Sequence, residues 1–279
     1  MTQPDKVDVT KPDIDSHYPL TEAQVQQFRE DGFIKLKDVM SAEALAYYGS
    51  EITRLVLDLN PAKDTPIEER STYGKAFIQV GNLWEKDETA KAFALGKRLA
   101  RIATELLGTT GVRMWHDQAL YKEAGGGFTP WHADQQYWPM GSGLCVTAWV
   151  PLQAVPMEMG PLCFGKGSHL KNIGRDLAIS DESEQLIRDA IKEQGVIESF
   201  EAYDLGEVSF HLGWTLHRAG PNTTGEPRKV QTIIYMDEDM TLAKPKNQSQ
   251  DNDWKHWTPS TKIGDVMADR LNPVLYSTK

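Results

Sequence analysis

The chain has 279 residues, 40% of them hydrophobic and 25% charged, with a formal net charge of −10. That length favours one large domain with appendages, and the apolar fraction is enough to fill a sizeable core. An acidic surface repels phosphate backbones, which argues against a nucleic-acid partner, and no run approaches the roughly 20 apolar residues that span a bilayer.

Residues 1–18 are rich in Asp, Lys, Thr and Pro and read as a mobile arm. They carry no apolar signal segment, so the cytoplasm is the expected compartment. Thr21 and Gln24 have the spacing of a capping box, with Leu20 and Val25 as its hydrophobic staple. The helix they open should stop at Gly32, and Phe33-Ile34-Lys35-Leu36 then alternates like a strand. Ser41 caps a second helix with Leu45, Tyr48, Ile52, Leu55 and Leu59 on one face, ended by Asn60-Pro61. A third helix is expected over residues 88–107, closed by Gly108.

Beyond Val112 the pattern changes to strand-like runs at 112–122, 129–134, 144–150, 160–164, 207–216 and 230–236, with Gly- and Pro-rich loops between them. Residues 181–194 read as a helical insertion. Helices first and short strands later, without βαβ alternation, predict a mainly β fold with flanking helices: a jelly-roll buttressed by N-terminal helices. A single domain over 19–279 would comprise a helical buttress (about 19–108), a jelly-roll core (about 110–240) and a tail (about 241–279). Trp254, His256 and Trp257 should pack that tail on the barrel, or form a lid. Cys145 and Cys163 lie in apolar runs and read as buried thiols.

The chemistry centres on Trp131-His132-Ala133-Asp134. Residues two apart on a strand face the same way, so His132 and Asp134 can converge on one ion. Two His and one carboxylate form a facial triad, which leaves coordination positions open on Fe(II). The third ligand must come from another strand. His217 is the choice, with His211, six residues earlier and on the same face of a regular strand, as the other candidate. Arg228 follows His217 by eleven residues, across a Pro/Asn/Gly turn. A guanidinium there can take a dicarboxylate bound next to the metal in a two-pronged contact. His116 and Asp117 point to opposite faces and cannot chelate. Gly125-Gly126-Gly127 lacks the following Lys-Ser/Thr of a phosphate loop and reads as a flexible lip. His169 reads as structural, and Tyr137 with Trp138, just past Asp134, as pocket walls.

The chain resembles the phytanoyl-CoA dioxygenase family. The resemblance rests on Thr129 through Trp138, Val146-Thr147-Ala148-Trp149-Val150-Pro151-Leu152, Gly160-Pro161-Leu162-Cys163-Phe164 with Gly167-Ser168-His169, and Gly206 through Arg228, in the family's order. It implies a cupin-like double-stranded β-helix with Fe(II) on His132, Asp134 and His217. It also implies 2-oxoglutarate anchored by Arg228, with further cosubstrate contacts from Gln118, Trp149 and Gln79. Met157 and Met159 would lie in a loop bordering the active site, either lining a substrate pocket or filling irregular core. Ala219 stands where relatives often carry a hydroxyl that assists the arginine, and Gly165-Lys166 replaces the usual Pro before Gly-Ser-His. Halogenating relatives have a small residue in place of Asp134. Its retention implies hydroxylation or desaturation of a small molecule with 2-oxoglutarate and O2, releasing succinate and CO2, with no separate side-chain acid or base. Two rivals remain on the same fold: a zinc hydrolase or isomerase, and a non-catalytic binding module. Arg228 speaks against the first, since zinc needs no dicarboxylate anchor, and the intact triad against the second.

Overall fold

The structure, a computed structural model, describes residues 11–279 apart from the side chains of Thr72 and Tyr73. Helix α1 (Glu22–Asp31) opens on the expected capping box: the Thr21 hydroxyl accepts from Gln24 N, and Thr21 N donates to the Gln24 side chain at 2.8 Å. It closes at Gly32, whose φ of +81° suits glycine, and a Cβ there would strike the His169 ring. Strand β1 (Phe33–Leu36) follows, then α2 (Ala42–Leu59), whose first turn is held by Ser41 Oγ accepting from Ala44 N at 3.1 Å. A short helix α3 (Thr72–Ala76) precedes β2 (Ile78–Gly81).

The single helix expected over 88–107 is in fact two, α4 (Glu88–Ala94) and α5 (Lys97–Leu107). The break is imposed from a distance. Ile14 lies beside Gly96, where a Cβ would sit 3.1 Å from it, and two backbone donors at the start of α5 are taken from outside. Lys97 N donates to Asp15 Oδ1 at 2.8 Å and Arg98 N to Ile14 O at 3.1 Å, which satisfies donors that a continuous helix would have turned inward. The expected arm at 1–18 therefore divides. Residues 1–10 lie outside the described part, whereas 11–18 are packed, with Ile14 buried and Asp13 paired to Arg98 at 2.6 Å.

The remaining elements are β3 (Gly111–Tyr121), β4 (Thr129–His132), β5 (Cys145–Pro151), β6 (Leu162–Gly165), α6 (Asp181–Glu193), β7 (Glu198–Phe200), β8 (Val208–Leu212), β9 (His217–Ala219), β10 (Val230–Asp237), α7 (Gln248–Trp257) and β11 (Val274–Ser277). They form two antiparallel sheets. The larger runs β1-β8-β5-β10-β3-β11, with β2 also paired to β3; the smaller runs β4-β9-β6-β7. One face of the larger sheet, through Met114, Ala148, Phe210 and Tyr235, packs against α2, α4 and α5 in the main core. Each fully buried Leu, Ile or Phe there contributes roughly 1.5–3 kcal/mol. Alternate residues on the same strands, among them Gln118, Thr147, Trp149, His211 and Thr232, face a cavity on the other side.

The strand-like run at 207–216 also splits. β8 ends at Leu212, and at Gly213 a Cβ would stand 2.6 Å from Cys145 Sγ, so only glycine lets the chain turn there. Gln135 N donates to Gly213 O at 2.9 Å, and the chain crosses into the smaller sheet as β9. His211 and His217 thus belong to different sheets rather than to one face of a regular strand.

Candidate metal centre

β4 and β9 are adjacent, with His132 in register opposite His217 and ring centroids 4.1 Å apart. Ala133 keeps an extended backbone past the end of β4, so alternation carries on to Asp134, which opens the short 3-10 turn Asp134–Gln136. One ligand atom from each of His132, Asp134 and His217 lies within 4.8 Å of the others.

The hydrogen bonds orient all three. His132 Nδ1 faces the Pro130 carbonyl at 2.8 Å, and His217 Nδ1 faces Thr215 O at 3.0 Å. A carbonyl can only accept, so each Nδ1 carries the proton and each Nε2 lone pair is directed to the centre. Asp134 divides its oxygens: Oδ1 faces His132 Nε2 at 3.5 Å and His217 Nε2 at 3.6 Å. Oδ2 accepts from Thr147 Oγ1 at 3.1 Å and meets His211 Nε2 at 3.2 Å. Burial alone would raise the Asp134 carboxyl, but the surrounding imidazoles, His217 foremost, hold it well below the usual carboxylate range. Burial, and then His132, keep His217 well below an ordinary imidazole. Two imidazoles presenting Nε2 and one carboxylate are the donor set that a divalent iron takes, and the residues present fit it. His211 spends its Nε2 on the far oxygen of Asp134, which makes it an orienting neighbour.

The triad opens on a cavity of about 490 Å³ whose walls include Arg228, Gln118, Gln79, Trp149, Tyr137 and Trp138. Arg228 is only 2% exposed; its Nη1 donates to Gly160 O, its Nε finds no partner among the described residues, and its guanidinium lies 5.3 Å from the Trp149 ring centre. Burial lowers it to about 10, still a cation at neutral pH. Lys122, just past β3, pairs with it across the ladder: Lys122 N donates to Arg228 O at 2.9 Å and Arg228 N to Lys122 O at 2.8 Å. The Lys122 side chain is fully buried, with Nζ on Gly127 O and 3.5 Å from Thr129 Oγ1. Thr129 lines the cavity and is in register with Ala219.

A family model described as Phytanoyl-CoA dioxygenase (PhyH) matches residues 28–230, well over half of the chain. The chain belongs to the phytanoyl-CoA dioxygenase family. Ectoine dioxygenase of Streptomyces avermitilis is 23% identical to it over 252 residues, 83% of each protein. Among solved structures, the epimerase SnoN in complex with Fe3+, alpha ketoglutarate and nogalamycin RO is similar at 26% identity and a TM-score of 0.74, over 91% of this chain and 98% of that one. EctD from S. alaskensis with 2-oxoglutarate and 5-hydroxyectoine shares the fold at 21% identity and a TM-score of 0.66, over 85% of this chain and 84% of that one. A cupin-like jelly-roll with flanking helices is the architecture of this phytanoyl-CoA dioxygenase family member.

Two methionines expected at the pocket are elsewhere in this family member. Met157 is 42% exposed on a 3-10 turn, and Met159 is buried in a side cluster with Trp149 and Phe164; neither lines the cavity. The turn carries them outward, because Gly160, at φ +68°, packs on the Gly220 and Pro221 carbonyls. The Gln79 and Gln118 side chains hydrogen-bond each other. His169 is structural, its Nε2 on Arg29 O at 3.2 Å.

The tail brings Trp257, expected from sequence as packing or lid, and Asp253, which sequence reasoning missed, to the cavity. Trp254 packs inward with its Nε1 donating to Thr261 O at 2.9 Å, and His256 is exposed, but Trp257 and Asp253 line the cavity. Their i, i+4 spacing on a capped segment was the available signal: Asn247 caps α7 through Gln250 N at 2.8 Å. His116 also lines the cavity, while Asp117 turns away to Gln231 at 2.8 Å, as strand alternation requires.

Proposed function

We propose that this family member, a 2-oxoglutarate-dependent non-haem iron oxygenase by class, hydroxylates or desaturates a small molecule with release of succinate and CO2. His132, Asp134 and His217 would hold the iron. Arg228 would anchor the distal carboxylate of 2-oxoglutarate, with Gln118, Gln79 and Trp149 along the cosubstrate. The observation that carries this reading is one cavity lined both by three converging metal donors and by a buried, acid-free guanidinium.

Fe(II), once bound with 2-oxoglutarate and O2, supplies the oxidising chemistry. The chain supplies geometry and dryness. Thr147 and His211 hold Oδ2, so that Oδ1 is the oxygen facing the His132 and His217 imidazoles. The Trp149 ring restricts the Arg228 fork, which suits a planar carboxylate. Tyr137 and Trp138 wall the cavity beside the triad and exclude water. No side chain is assigned as general acid or base.

Oxygen consumption coupled one-to-one to succinate release, dependent on Fe(II), tests the reading. Turnover with zinc in the absence of 2-oxoglutarate would replace it with a hydrolase or isomerase. Ligand binding with no succinate under any supplied compound would leave a binding module.

A further inference from the structure

The cavity has chemically opposite ends. Arg228 marks one. Six residues further along β10, Ile234 pairs with His116, which places His116 roughly 20 Å from the arginine along the ladder at ~3.3 Å per residue. The His116 ring stacks on Trp257 at 4.3 Å, and Trp138 stands edge-on to it at 6.4 Å. Asp253 lies one helical turn before Trp257 on α7 and is close enough to Tyr137 to act on its hydroxyl, as Asp134 does from the triad side. α7 is tied to the turn that follows the metal pair, because Asn247 Nδ2 and Gln250 Nε2 donate to Gln136 O at 3.3 and 3.2 Å. The triad therefore stands between the arginine and the α7 wall.

At the α7 end two polar groups lack what they need. No cation of the described residues faces Asp253; its partner is the Trp257 indole, and burial raises it to about 7. Lys255, the nearest lysine on the helix, is taken by Asp251 at 2.5 Å. His116 is buried and lines the cavity with its ring, while its Nδ1 is enclosed and has no side-chain hydrogen-bond partner among the described residues. Burial lowers that imidazole to about 4, so it is neutral and repels no positive ligand. A half-buried carboxylate among aromatic faces is an environment that stabilises an organic cation.

Resting on the oxygenase reading, we propose that the α7 end of the cavity selects a small protonated amine as substrate. Its ammonium would donate to Asp253 between the rings of Tyr137, Trp138 and Trp257. The hydrocarbon of the substrate would extend past the His116 ring toward the triad.

The test uses anaerobic Fe(II) protein already loaded with 2-oxoglutarate, as shown by its visible charge-transfer band, at about pH 8, where carboxylate and amine are both mostly ionised. Calorimetry would compare n-pentylamine, 1-pentanol and pentanoate as probes of equal length. The amine should bind about tenfold or more tighter than the alcohol, and pentanoate least of all. Asp253→Asn should erase that order while leaving the charge-transfer band unchanged. Equal affinity for pentanol, tighter binding of pentanoate, or no binding of the amine would overturn the proposal. If Asp253→Asn does not fold, the wild-type ranking decides alone. A missing charge-transfer band would instead strike the oxygenase reading itself.

Discussion

Around Asp134, a half-buried carboxylate sits among three imidazoles; around Arg228, a buried guanidinium and a buried lysine sit with no acid paired to them among the described residues. Both arrangements are unfinished, in opposite senses. Like charges directly opposite on a ladder destabilise a sheet, yet Lys122 and Arg228 face each other, with only burial, Tyr203 and one another acting on them. The neighbouring carboxylate, Glu123, is taken by Arg70. At the other region, both Nδ1 atoms and Oδ2 are satisfied by the protein, while Nε2 of His132, Nε2 of His217 and Oδ1 converge on each other. What a buried cluster lacks identifies its ligand: a cation at the triad, an anion at the arginine.

The largest effect expected is at the triad. His132→Ala, Asp134→Ala and His217→Ala should each abolish tight Fe(II) binding, read as iron per chain after anaerobic loading. His211→Ala should keep the iron, since that ring holds Oδ2 instead of facing the centre. Full iron in His217→Ala with loss in His211→Ala would reverse the two roles. Next comes the cationic region. Arg228→Ala should weaken 2-oxoglutarate by about 30- to 1,000-fold, the cost of removing one partner from a charge-assisted contact, on the order of 2–4 kcal/mol. Iron affinity should not move. Arg228→Lys should restore only part of the loss, because one ammonium lacks the planar fork. A wild-type midpoint for Arg228→Ala in a titration of the charge-transfer band would erase the contrast between the regions.

These regions were unequally legible in the sequence. The triad was readable because its pair is local: two residues apart on a strand, followed by a turn that keeps the alternation. Arg228 was readable by spacing. Lys122 was not, since a lysine at the end of an alternating run looks solvated, and only the Gly127–Thr129 segment folding over it makes it buried. In the fold, capping chemistry placed α1 and α2 to the residue, as local hydrogen bonds should. The break between α4 and α5 was hidden because it depends on Ile14 and Asp15, some eighty residues away. The same holds for α7, whose polar segment QSQDNDWKHW has no strong apolar face and is positioned by bonds to Gln136 O. Long-range contacts decided what local pattern could not.

The last expected effect is on stability, and near neutral pH, where only part of the titration window is crossed, it isolates the Lys122–Arg228 region from its ligand. Burial, and then the guanidinium opposite, push the Lys122 ammonium down to about 6 from an ordinary 10.5. Below that lower value both folded and unfolded chains carry the proton, and the fold bears the whole penalty of a buried charge. Between the two values the unfolded chain holds a proton that the folded chain lacks. Stability should therefore rise with pH across that window, by up to about 1.4 kcal/mol per unit from this group. Above 10.5 neither state is protonated and the penalty is gone. Lys122→Met keeps the length of the side chain and removes the charge, so in 2-oxoglutarate-free protein it should flatten this slope and raise the urea midpoint near neutral pH. Adding 2-oxoglutarate to wild type should flatten the slope as well, because an anion at Arg228 offsets the repulsion and lets Lys122 keep its proton. A slope that is the same in wild type and Lys122→Met would mean that the Lys122 ammonium keeps its ordinary proton affinity in the fold, and burial beside Arg228 would then carry no penalty.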